Sequence, residues 1–155
     1  MELNFYTNQC QHLIENYELT EEQLRFTGIP RECIKLCEKD PDRFSILAID
    51  NDQLVTFFNL HRNEGVKPYS QNGHAILLRA FSTDARHQGK GYAKRALKLL
   101  PQFVNKEFPY VDEIVLAVNI ANSAAQSLYK KCGYMDKGVR KMGEKGELIV
   151  MSHYL

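Results

Sequence analysis

The chain has 155 residues and a formal net charge of +1, with 20 basic side chains set against 19 acidic ones. That length suits one domain with a sizeable core, and so even a balance lacks the basic excess expected of a nucleic-acid-binding surface. No apolar run has the length of a membrane span. Met1-Glu2-Leu3-Asn4-Phe5 has neither the basic start nor the apolar core of a secretory leader, so a cytoplasmic protein is expected.

In chain order, Leu3-Asn4-Phe5-Tyr6 reads as a short first strand. Asn8 is placed to cap a helix running to Tyr17, with Cys10, Leu13, Ile14 and Tyr17 on one face. Thr20-Glu21-Glu22-Gln23 has the capping-box pattern and opens a second helix. Gly28 and Pro30 break it, and Pro30 starts a third helix that reaches Lys39. Phe44 to Ile49 and Leu54 to Leu60 are apolar, β-rich runs around Asp50-Asn51-Asp52-Gln53, the pattern of an antiparallel hairpin. A polar loop from Asn63 to Asn72 leads into a strand over Ala75 to Phe81. After a long helix ending near Phe108, Glu113 to Val118 is a buried-type strand. Asn122 or Ser123 caps a helix to Lys131, closed by Gly133. Tyr134 to Met142 and Glu147 to Tyr154 form the last strand pair around Gly143-Glu144-Lys145-Gly146. This order predicts a single α/β domain of the α+β type over residues 1–155, with a mixed central sheet of about six to seven strands flanked by helices. Cys10, Cys33, Cys37 and Cys132 contain no C-x-x-C pair and no zinc-type spacing, so reduced thiols and no metal are expected.

The chemistry concentrates in the stretch from Leu77 to Ala93. An apolar strand runs into Gln88-Gly89-Lys90-Gly91, and from Tyr92 onward Ala93, Ala96, Leu97, Leu100 and Phe103 recur at helical spacing. The first N–H groups of a helix have no internal partner and carry the positive end of its dipole. Gly89 and Gly91 allow close approach of a phosphate, and Arg86, Lys90, Lys94 and Arg95 add positive charge. The stretch therefore reads as a diphosphate cradle. It is neither a P-loop, since Lys90 is followed by Gly91, nor a dinucleotide fingerprint, since Lys94 stands where the third glycine belongs.

Gln88-Gly89-Lys90-Gly91-Tyr92-Ala93 resembles the Q/R-x-x-G-x-G/A motif with which GNAT-type N-acetyltransferases cradle the pyrophosphate of acetyl-CoA. Downstream, Val118 to Tyr134 resembles a second motif of that family, V-x-x-x-N-x-x-A-x-x-L-Y-x-K-x-G-F/Y, with Asn122, Ala125, Leu128, Tyr129, Lys131, Gly133 and Tyr134 in register. The resemblance covers Phe44 to Leu155 closely and the helical first third more loosely. It extends to the polyamine acetyltransferases in size and in the Gly-Glu-Lys-Gly hairpin.

The resemblance implies a splayed strand pair holding acetyl-CoA as cosubstrate. The pantetheine arm would lie along Leu78 to Ser82 and bind Ala80, Phe81 and Ser82, with Asn122 reaching its amide. The diphosphate would be held by Arg86, Gln88, Gly89, Lys90, Gly91, Tyr92 and Ala93. Tyr129 would meet the sulfur as general acid, and a backbone N–H near Phe81 would meet the oxyanion. Where many relatives have a glutamate base, this chain has Ala75; His74, His61 or water is left for that role. Glu15, Glu18, Glu21, Glu22, Glu144 and Glu147 fall in the segments that build the family's acceptor pocket and suggest a cationic small-molecule amine. A protein N-terminus as acceptor, a sensor that binds acyl-CoA without turnover, and a homodimer are left open.

Overall fold

The computed structural model describes residues 1–155. Its seven strands are β1 (Glu2–Phe5), β2 (Arg43–Asp50), β3 (Gln53–His61), β4 (Ala75–Thr83), β5 (Glu113–Asn119), β6 (Met135–Gly143) and β7 (Gly146–Tyr154), in the sheet order β1-β2-β3-β4-β5-β7-β6. Five helices accompany them: α1 (Gln11–Glu15), α2 (Glu21–Leu24), α3 (Pro30–Glu38), α4 (Tyr92–Glu107) and α5 (Ser123–Lys131). Every strand pair is antiparallel except β4–β5. The mixed α/β sheet anticipated from the sequence is thus observed.

The parallel pair follows from its connection. The long α4 crosses from β4 to β5 over one face, as parallel strands require. Its apolar stripe, Leu97, Leu100 and Val104, packs with Tyr129 of α5 on Ile46, Phe58, Ile76, Leu78, Ile114, Leu116 and Met151 to form the main core. Strand alternation sends the intervening residues to the other face. There Ile14 of α1 and Cys33 and Ile34 of α3 cover Leu47, Leu54 and Phe57. Further along that face, Val66 of the polar loop packs on Ala75, Leu77, Val115 and Val150.

Local chemistry explains most boundaries. Pro30 occupies the first turn of α3, where its missing N–H has no cost. The β2–β3 turn is tighter than the expected four residues. Asp50 pairs with Gln53, and Asn51 and Asp52 take φ of 50° and 62°, the geometry of a type I′ turn. Asn8 does not cap a helix: a single 3₁₀ turn, Asn8–Cys10, precedes α1, and Thr7 stands at the cap position without a side-chain bond. Helix α1 also stops at Glu15, short of Tyr17, because Tyr17 turns away to donate its hydroxyl to Ser82 O at 2.7 Å. Pro101 lies inside α4, where it deprives the Leu97 carbonyl of a donor.

Candidate functional site

The decisive local feature is a break between β4 and β5. The two strands pair from Ala75–Glu113 to Leu78–Leu116 and no further. On its other edge β4 pairs Arg79 with Asn59 and Ser82 with Phe57, so β4 holds one residue more than β3 across this interval. Ala80 absorbs the excess at φ 54°. Such a bulge bends the strand and re-aims its side chains. Beyond it β4 and β5 splay, and a cleft of about 330 Å³ passes between them. On one face its lining includes Leu78, Phe81, Leu116, Val118, Ala93, Ala125, Leu128 and Tyr129; Arg79, Ala80, Ala117, Asn119, Glu22, Gln23, Phe26 and Thr27 complete it toward the other.

At one end of the cleft stands the glycine turn. Asp84, fully buried, accepts from the backbone N–H of Arg86 at 2.8 Å and of Glu18 at 3.1 Å, and from Arg86 Nε and Nη2 at 3.0 and 2.8 Å. Burial opposes ionisation of Asp84, but Arg86 and these N–H groups outweigh it and hold its carboxyl below the ordinary range. Arg86 is therefore engaged in tying the N-terminal helices to the end of β4, and it does not line the cleft.

Gly89 and Gly91 have φ of 76° and 82°, and a Cβ at either would meet no atom within 4 Å. Both positions need glycine for backbone conformation, and both face open space. Each backbone N–H from Gln88 to Lys94 lacks an acceptor within the protein. That array, at the N-terminus of a four-turn helix flanked by exposed Lys90 and Lys94, has the charge and geometry that suit an anion. Arg95 turns to Asp50 instead, at 3.3 Å. Gln88 and Ala93 reach the cleft; Gly89, Lys90, Gly91 and Tyr92 form the turn at its mouth.

Helix α5 supplies the wall. Asn122 Oδ1 accepts from Ala125 N at 3.3 Å and caps the helix, and its Nδ2 has no partner. Gln126 Nε2 donates to Asn119 O and Ile120 O at 3.0 and 2.9 Å, fixing the start of α5 to the end of β5. Tyr129 is buried, its ring edge-on to Phe81 and Tyr134 at 6.1 and 5.9 Å. Burial pushes its hydroxyl pKa well above the ordinary tyrosine value, so the group keeps its proton.

The opposite end is roofed by α2. The Thr20–Gln23 capping box forms as anticipated, and Gln23 Nε2 also donates to Thr83 O at 2.7 Å. Lys145 in the β6–β7 turn donates to Leu24 O at 2.9 Å, joining the hairpin tip to this roof. Among the carboxylates expected around an acceptor, only Glu22 lines the cleft; Glu15, Glu18, Glu21, Glu144 and Glu147 do not. Neither His61 nor His74 lines it. His61 is held between Asp40 and Arg79, and His74 is exposed ahead of β4. Arg79 and Phe26 line the cleft without having been singled out in the sequence. Alternation along β4 could have placed Arg79 on this face, but no pattern marks Phe26.

The family model described as "Acetyltransferase (GNAT) family" matches residues 8–134. The chain is 42% identical to an uncharacterized N-acetyltransferase of Bacillus subtilis, YbbJ, over 99% of this chain and 96% of that one. Among solved structures, an aminoglycoside acetyltransferase AAC(6')-Ib in complex with coenzyme A and kanamycin superposes with a TM-score of 0.78 at 13% identity, covering 98% of this chain and 93% of that one. The spermidine N-acetyltransferase of Vibrio cholerae in complex with CoA and spermine gives 0.72 at 17% identity, with 99% and 94% covered.

Proposed function

The chain belongs to the GNAT acetyltransferase family, and on that premise we propose that residues 1–155 act as one domain moving an acetyl group from acetyl-CoA to a primary amine by direct attack in a ternary complex. The residues present fit the cosubstrate. A diphosphate finds the unpaired N–H groups of Gln88 to Lys94, with Lys90 and Lys94 beside them and no Cβ at Gly89 or Gly91. The splayed edge of β4, Ala80 to Ser82, offers backbone groups to an amide-containing arm, and the free Nδ2 of Asn122 faces the same space. The relatives crystallised with CoA support this assignment.

Acetyl-CoA, when bound, supplies the thioester that an amine attacks and the sulfur that leaves. Tyr129 holds a proton on a buried hydroxyl in the cleft wall, and we assign it as the general acid toward that sulfur. The backbone N–H groups at the Ala80–Phe81 bulge are assigned to the developing oxyanion. Loss of the amine proton falls to solvent, because no histidine reaches the cleft and its single carboxylate, Glu22, is exposed and paired with Arg25. The observation that carries this reading is the continuous passage from the unpaired N–H groups past Tyr129 to α2, which lets two substrates meet from opposite faces of the sheet.

The test is thiol release from acetyl-CoA across a panel of amines. Acetyl-CoA-dependent turnover of at least one amine is expected. Tight acetyl-CoA binding with no turnover on any small amine or peptide N-terminus would instead make the chain an acyl-CoA sensor.

A further inference from the structure

Arg79 is the one basic side chain on the cleft lining, and the proposed chemistry gives it nothing to do. It follows Ala75 and Leu77 on the face of β4 opposite Leu78, and it shares the cleft lining with Glu22 and Gln23 of α2. Its guanidinium is half-buried and forms no ion pair, whereas Arg62, Arg86, Arg95 and Arg140 each face an aspartate. Its hydrogen-bond partner is neutral: Nη1 donates to His61 Nδ1 at 3.2 Å. Arginine only donates, so His61 accepts at Nδ1 and donates from Nε2 to Asp40 Oδ2 at 2.8 Å. The ring is pinned from behind, since a Cβ on Gly65 would fall 2.1 Å from its Cγ.

Asp40 and His61 thus orient Arg79 without neutralising it. Arg43, whose Nε donates to Asn59 Oδ1 at 2.7 Å, is a second guanidinium close enough for its charge to act on Arg79, and it also forms no ion pair. A half-buried cation left unpaired beside a like charge is unfavourable until an anion seats against it. With Nη1 on His61, the Nε and Nη2 edge stays free, which is the fork that a carboxylate accepts in two parallel hydrogen bonds. No lysine or second arginine lines the cleft, so the fit is to a single negative charge.

We propose that the acceptor is a primary amine that also carries a carboxylate, an amino-acid-like or peptide-like amine, and that Arg79 selects it by pairing with that carboxylate. The proposal rests on the acetyltransferase reading and narrows its substrate class. His61 and Asp40 are positioning residues for Arg79.

The test compares matched acceptors, L-amino acids and dipeptides against their C-terminal amides, with spermidine as the polycationic arm. Thiol release with the best acid should exceed that with its amide by about tenfold or more in kcat/KM. The amide has the more acidic amine and hence more free base, so the bias of the comparison runs against the expected result. Arg79→Gln should remove the preference through KM of the acid, leave the amide unaffected, and leave the acetyl-CoA Kd from calorimetry unchanged; Arg79→Lys should restore part of the preference. Equal use of acid and amide by the native protein, a preference for spermidine, or a loss of acetyl-CoA affinity in Arg79→Gln would each overturn the proposal. A second readout needs neither turnover nor a variant: the Arg79 Nε–H resonance of the native protein should shift with the acids and not with the amides. Its failure to discriminate overturns the proposal even if no amine is turned over. Failure of acetyl-CoA to bind at all strikes the acetyltransferase reading instead, and the resonance titration on the cofactor-free protein still decides on Arg79.

Discussion

At the end of the cleft assigned to the cosubstrate, the groups proposed to bind are backbone N–H groups of one contiguous turn, Gln88 to Lys94. At the end assigned to the acceptor they are side chains, Glu22, Phe26 and Arg79, brought together from α2, the turn that follows it and β4. The first kind of site depends on main-chain conformation and tolerates most side chains as long as Gly89 and Gly91 keep their positive φ. The second depends on which side chains are present and on what holds them. A fold built this way can keep one cosubstrate while its acceptor varies, and substitutions at the two ends should separate cleanly in kinetics.

The largest effect should come from the backbone end. Gly91→Val places a β-branched residue at φ 82° and a branch where the diphosphate is to sit. Losing two charge-assisted hydrogen bonds corresponds to about 10³-fold in acetyl-CoA Kd. Calorimetry on a variant whose circular dichroism matches the native protein checks this, and an unchanged Kd would remove the cradle from Gln88–Lys94.

Next in size is the group between the two ends. Tyr129→Phe should lower kcat by about 10²-fold with the acetyl-CoA Kd unchanged. Burial raises the Tyr129 pKa, and a general acid works in its protonated form, so its active range extends upward. No alkaline loss of kcat attributable to Tyr129 should appear up to pH 10. A fall below that pH that disappears in Tyr129→Phe would contradict the burial argument.

A smaller effect should mark the positioning of Arg79. His61→Leu is expected to raise the acceptor KM by about threefold to tenfold while kcat and the acetyl-CoA Kd stay near native values. Burial lowers the His61 pKa, with Arg79 and Arg43 acting in the same sense and Asp40 opposing them. The ring is therefore neutral at pH 7, and the contact it makes is present above the ordinary histidine value of about 6.5. It is lost as pH falls through the lower folded value, because a protonated Nδ1 can no longer accept from Arg79. Once expressed per free-base amine, acceptor KM should rise on the acid side in the native protein and stay flat there in His61→Leu.

The smallest effect belongs to Glu22, whose side chain is 80% exposed and pairs only with Arg25. Glu22→Gln should change the acceptor KM by about twofold or less, and added salt should erase the difference. A large, salt-resistant effect would shift acceptor recognition from Arg79 to α2.

Several features of this comparison were legible in the residues. The capping box of α2, the type of turn before α4, and the cap and closing glycine of α5 depend on neighbours within a few positions, and each was read from Thr20–Gln23, Gly89–Gly91 and Asn122–Gly133. The acceptor end is less legible, because its side chains come from elements distant in sequence. Six glutamates close in sequence to the expected pocket suggest an acidic wall, yet five of them do not line it: Glu15 and Glu21 are exposed on short helices, Glu18 sits in the loop beside Arg86, and Glu144 and Glu147 belong to the last hairpin. Arg86 looked like a phosphate ligand until Asp84, buried beneath it, accounted for its charge.

What the sequence determined by itself is the strand–turn–helix and the array of free N–H groups at its turn, since unpaired N–H groups and positive φ are properties of a few consecutive residues. Only the tertiary structure decided where that site opens. An alanine at φ 54° is not announced by its residue type. Ala80 takes that conformation because β3 pairs on both sides of it, Phe57 with Ser82 and Asn59 with Arg79, and leaves one residue over. The same mismatch opens the gap to β5, beside which Arg79 stands against His61, a pairing fixed by strand register and by the loop behind the ring.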